Sequence, residues 1–173
     1  FETEALLLRT RIVADTVPGT GQQGKVDPME LDASTIDLYV DHAFTGMERV
    51  LDRLDDRTVN ERPAGWGTNS VAGLIVHCCE LAPSWFTVPG LGREGSRDRD
   101  AEFAATASVD ELRARIADAK AATSAAVADF LEGPTTPDHP LRAFMPGGDH
   151  SDGALVLHVL EELFQHLGHL EMT

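Results

Sequence analysis

The chain has 173 residues, 42% of them apolar, and a formal charge of −15 from 29 acidic and 14 basic residues. That length is one ordinary domain, and that apolar share is enough for one hydrophobic core. A surface so acidic repels phosphate backbones and anionic lipid headgroups, which argues against nucleic acid and membranes as partners.

In chain order, residues 1–17, "FETEALLLRTRIVADTV", have the pattern of a short amphipathic helix, and "PGTGQQGKVDP" (18–28) is a linker by composition. Residues 1–29 are therefore set apart as an extension, and 30–173 as the folded domain. The first long helix is expected from Ser34 to about Asp56, where Ile36, Leu38, Val40, Phe44, Met47, Val50, Leu51 and Leu54 recur near the helical period. "RPAGWG" closes it. Asn69 and Ser70 are N-cap candidates for a second helix at roughly 70–87. "FTVPGLG" is too short, and too broken by Pro89, for a strand. A third helix opens on a capping box of Ser108 and Glu111 and runs to about Leu131. Pro134, Pro137, Pro140 and Pro146 make a long connector. Ser151 or Asp152 then caps a fourth helix that runs to the last residues. With four amphipathic helices, almost no strand signal and no internal repeat, the expected fold is all-α, a four-helix bundle.

No apolar run reaches the roughly 18 to 20 residues that cross a bilayer. The longest candidate, "SVAGLIVHCCELAPSWF", contains His, Glu and Pro. "FETEALLLRTR" lacks the basic start of a signal peptide. The only cysteines, Cys78 and Cys79, are adjacent in a helix and read as reduced, buried side chains, so a cytoplasmic protein is expected.

The chemistry concentrates in "LVLHVLEELFQHLGHLE". His158, Glu162, His166 and His169 are spaced four, four and three apart. At about 100° per residue they fall within roughly 80° of one another, beside the apolar stripe of Val156, Val159, Leu163 and Leu170. A bundle carries such a stripe at least partly inward, where unpaired charge costs several kcal/mol. A divalent metal compensates, because imidazole nitrogen and carboxylate oxygen both ligate Zn²⁺ and its neighbours. Glu162 and His166 offer two ligands from one side, and His77 in "LIVHCCE" is the candidate third. Hydrogen-bonded core histidines and surface Glu–His pairs give the same local pattern, and both readings stay open at this level.

"LHVLEELFQHLGH" resembles the last-helix motif of the DinB/YfiT-like metalloprotein superfamily, in particular an actinobacterial branch with a Leu-His-x-x-x-Glu-x-x-x-His-x-Gly-His pattern. "GWGTNSVAGLIVHCCELAPSWF" is similar to the second-helix signature of that superfamily. The resemblance covers about residues 30–173. It implies an up-down-down-up bundle, often a homodimer, and metal ligands at His77 and His166. Glu162 stands where many members have a ligand histidine. A Glu there resembles mycothiol-dependent maleylpyruvate isomerase, with its His, Glu, His zinc triad. That isomerase has a further C-terminal domain for which 173 residues leave no room, so isomerisation is not the expected chemistry. His169 stands where other branches carry Gln.

The implied activity is transfer of a low-molecular-weight thiol, mycothiol first, to an electrophilic small molecule. The metal is expected to be zinc, with nickel or another divalent ion as alternatives. In this reading His169 takes or relays the proton, and His158 orients Glu162 or another ligand from behind. Arg142 binds an acidic part of thiol or substrate, and Trp66, with Trp85, lines the pocket. The rival expectations are a metal-dependent hydrolase, in which water replaces thiol, and a metal-stabilised binding or stress protein without catalysis.

Overall fold

Each long helix begins where a short polar side chain takes up an orphan backbone N–H. The computed structural model describes residues 10–11 and 30–173 other than Trp66. Helix α1 (Ala33–Leu51) is capped by Asp32, which accepts from the Thr35 amide at 2.8 Å. Helix α2 (Val71–Trp85) is capped by Ser70, and a short α3 (Arg99–Ala104) by Asp98. Helix α4 (Val109–Glu132) opens with the Ser108–Glu111 capping box, and α5 (Asp152–Glu171) is capped by Ser151. The caps at residues 70, 108 and 151 match the sequence expectation.

Three local readings change. Helix α1 stops at Leu51, five residues short of Asp56, because the residues beyond it have other partners. The Asp55 carboxylate accepts from the Thr58 amide and starts a 3₁₀ turn, Thr58–Asn60, while the Asp56 carboxylate accepts from the Val109 amide of α4. Helix α2 continues through Phe86–Gly90 as one π turn. Pro89 has no N–H to give the ladder, which slips by a residue there. Within the stretch expected as an N-terminal helix, Thr10 and Arg11 form a two-residue extended segment, β1, paired antiparallel with β2 (Glu30–Leu31). The rest of residues 1–29 lies outside the described residues.

The side-chain pairs fix the topology. Asp52 meets Arg113, Glu48 meets Lys120 and Asp37 meets Ser124, so α1 and α4 are antiparallel. The C-terminal ends of α2 and α4 meet where Phe86 packs edge-on against Phe130, so these two run parallel. Helix α5 runs against α2, with His166 beside His77 and His158 beside Trp85. It runs with α1, since Tyr39 and His42 meet Phe164 and Gly46 meets Leu167. The order is up, down, down, up, with α1 diagonal to α2 and α4 diagonal to α5. Phe44, Met47, Ile75, Ile116, Leu155 and Leu163 fill the centre, each almost fully buried, a contribution of about 1.5–3 kcal/mol per large side chain. Helix α2 with its π turn, Val71–Gly90, is after all long and apolar enough to cross a membrane by composition. It is instead mostly covered by its neighbours, as the core helix of a bundle is.

Candidate metal centre

Helix α5 places Glu162 and His166 one turn apart, and the antiparallel approach of α2 adds His77. One donor atom from each of the three lies within 4.8 Å of the others. His77 and His166 are buried, and Glu162 is half-buried. The His166 Nε2 and a Glu162 oxygen are 3.4 Å apart, and the His166 ring meets His77 edge-on with centroids 4.9 Å apart. These are the three residues named from the sequence as candidate ligands.

A residue unremarked in the sequence holds the first of them. Glu102, on α3 and buried, accepts from His77 Nδ1 at 2.9 Å. Arg97 clamps the same carboxylate with two bonds, Nε to Oε1 at 2.9 Å and Nη2 to Oε2 at 2.6 Å. A carboxylate can only accept, so Nδ1 carries the proton and Nε2 is left with its lone pair. That Nε2 is buried and has no hydrogen-bond partner. Helix α3 comes this close because Gly73 of α2 has no side chain: a Cβ there would stand 2.7 Å from the Phe103 carbonyl oxygen. The Phe103 ring in turn stacks on His77, centroids 4.3 Å apart.

The charges suit a cation. Burial holds the His77 pKa down at about 4, so its ring is neutral and its lone pair free at neutral pH. The hydrogen bond from His166 holds Glu162 below the usual carboxylate range, so it is ionised. An ionised carboxylate and two imidazoles, each with a desolvated and unpartnered ring nitrogen, would suit a divalent ion such as Zn²⁺.

A cavity of about 580 Å³ opens beside the triad. His77, His158 and Glu162 line one part of it, Trp85 at the end of α2 with Val88 and Pro89 of the π turn another, and Leu141 and Phe144 of the α4–α5 connector a third. Arg97 and Arg99 also line it, with Leu81, Ser84, Gly95 and Ser96. His158 is buried here against the Trp85 ring, and its buried Nδ1 makes no hydrogen bond but lies 3.8 Å from a Glu161 oxygen. His169 is exposed, packs edge-on against the His166 ring at 5.7 Å, and is not part of the cavity wall.

Arg142 is not in the cavity either. It is wholly buried, donating to the carbonyls of Pro89 and His150 and to the Asp152 carboxylate. Expected to meet substrate, it instead fastens the connector to the π turn and to the start of α5, because those acceptors take up its donors. Trp66 lies outside the described residues. Cys78 and Cys79 are buried, and burial pushes the Cys79 thiol up to about 12 and Cys78 well above its ordinary value, so neither is a protein nucleophile.

Glu102, Arg97 and Arg99 were missed in the sequence. The only signal was Asp98 as an N-cap before a six-residue helix, too short to show a period.

The family model for Mycothiol-S-transferase matches residues 35–173, across all four long helices and the triad. The chain belongs to that family. It is a DinB/YfiT-like family, in agreement with the last-helix resemblance. Comparison with curated proteins and with solved structures gives no match.

Proposed function

We propose that the protein is a metal-dependent S-transferase that joins a low-molecular-weight thiol, mycothiol first, to an electrophilic small molecule. The observation that carries the reading is the convergence of His77, Glu162 and His166 at the edge of a cavity, in a chain of the mycothiol-S-transferase family. A divalent ion held by these three, zinc before nickel or another ion, supplies a Lewis acid that lowers the pKa of a thiol placed next to it.

The chain's own residues do the rest. Glu102 and Arg97 hold His77 in the tautomer that presents Nε2. Leu81, Trp85 and Val88 give the cavity an apolar wall that keeps water from competing with the thiol. His158, whose ring lines that wall, accepts the thiol proton. The sulfur lone pair then forms the bond to the electrophilic carbon, whose leaving group departs with its bonding pair, and His158 passes the proton to solvent. This moves the proton role from His169, the residue expected from sequence, to His158. His169 steadies the His166 ring from the solvent side.

The test is calorimetric titration of mycothiol into metal-loaded and metal-free protein in two buffers of different ionisation enthalpy. Binding to the loaded form alone, with proton release, is expected. No binding, or equal binding to both forms, would remove the reading. A product assay with and without thiol separates transfer from hydrolysis. His158→Gln should keep its metal and lose most turnover, while His169→Ala should keep both.

A further inference from the structure

The cavity has a sign opposite to that of the protein. The chain carries a formal −15, yet among the described residues the only acidic side chain lining the cavity is Glu162, against Arg97 and Arg99. Glu162 belongs to the metal triad, and Arg97 is matched by Glu102. Arg99 is left over. Among the described residues it has no carboxylate within salt-bridge distance, and its guanidinium lies over the Phe103 ring, 5.5 Å from the ring centre. That ring is the one stacked on His77, so the guanidinium is held at a set remove from the triad. Besides the two histidines, Ser84 and Ser96, the rest of the lining is mainly apolar and aromatic, with Leu81, Trp85, Val88, Leu141 and Phe144. Phe144 is 75% exposed and Leu141 41%, large apolar surface turned to water beside a cavity.

We propose that the electrophilic substrate is an anion with an apolar, ring-sized body, and that Arg99 binds its carboxylate or equivalent anionic group while Trp85, Leu141 and Phe144 cover the body. A guanidinium forks onto a carboxylate with two bonds at contact range, and although Arg99 is exposed and the pair is partly screened by water, the acidic surface is distant and salt screens it more. The proposal takes its chemistry from the S-transferase reading, but its binding test does not depend on that chemistry.

The probe pair is 3-nitrobenzoate and its methyl ester, followed by quenching of tryptophan fluorescence. The wild type should bind the acid about tenfold more tightly than the ester. Arg99→Ala should erase that preference with the ester's affinity unchanged, and Arg99→Lys should restore part of it. Equal binding of acid and ester, no quenching by either, or an equal loss for both in Arg99→Ala would overturn the proposal. Arg99→Ala should leave the mycothiol Kd unchanged; a tenfold weaker thiol with the acid unaffected would assign the cation to the thiol instead and also overturn it. Transfer is read with 4-chloro-3-nitrobenzoate and its ester: the C–S bond forms, the C–Cl bond breaks, chloride leaves, and the thiol proton goes to solvent. Selective binding of the acid without transfer sinks the S-transferase reading alone, whereas transfer without acid selectivity sinks the Arg99 proposal alone.

Discussion

Glu102 accepts the Nδ1 proton of His77 across 2.9 Å, joining two helices through residues 25 positions apart. That one bond sets which nitrogen of His77 is free, and with it whether α2 contributes a ligand.

Glu102→Ala should therefore weaken metal binding by about 10- to 100-fold, as the loss of a carboxylate behind a ligand histidine does elsewhere. Glu102→Gln, which can still accept from Nδ1, should lose less. Competition against a chromophoric chelator measures both. Wild-type affinity in the alanine variant would reduce Glu102 to a packing residue.

Gly73→Ala is expected to act on the same bond from a distance. The added methyl meets backbone, the Phe103 carbonyl, which cannot rotate aside, so α3 must move. The cost should be about 1–3 kcal/mol in urea unfolding, with metal affinity falling in parallel. A stable variant with unaltered affinity would show that α3 has room to spare.

Metal binds the folded chain, so a chelator should lower the melting temperature of the loaded protein. His166→Ala should abolish most of that response, since it removes one of the three donors that converge among the described residues. Parent and variant responding alike would rule His166 out as a principal ligand.

Acid should destabilise the metal-free protein through His77. Its pKa is about 4 when folded, against 6.5 in the unfolded chain. Between those values the unfolded chain binds a proton that the folded one excludes, so stability rises with pH across the window and is lost as pH falls. Urea midpoints at about pH 4.5 and pH 7 should differ less in His77→Gln than in the parent. An equal difference in both proteins would place the acid sensitivity elsewhere.

Arg142→Met should separate stability from function. It removes three hydrogen bonds, and although Pro89 keeps Thr136 and Asp152 keeps Thr135 as donors, the cost should be about 1–3 kcal/mol in unfolding free energy. Activity per folded molecule should change little, since Arg142 does not line the cavity. A large rise in the KM of an anionic substrate, in a variant of full stability, would return Arg142 to the substrate.

The sequence alone determined the features that depend on neighbours along one helix. Caps at Ser70, Ser108 and Ser151 are local hydrogen bonds, and the periodic apolar faces demanded a bundle. Glu162 and His166 share a face because four residues make about one turn, whatever surrounds them. Tertiary structure decided the rest. Leu51 ends α1 because Asp56 caps another helix. Arg142 is buried because acceptors from three segments converge on it. Glu102 and Arg97 reach His77 only because α2 carries a glycine where α3 crosses it. A periodic pattern tells which side of a helix turns inward, but not what it meets there. The donors around His77, and the arginines that give the cavity its charge, arrive from segments whose approach is set by packing between helices, and packing leaves no period to read.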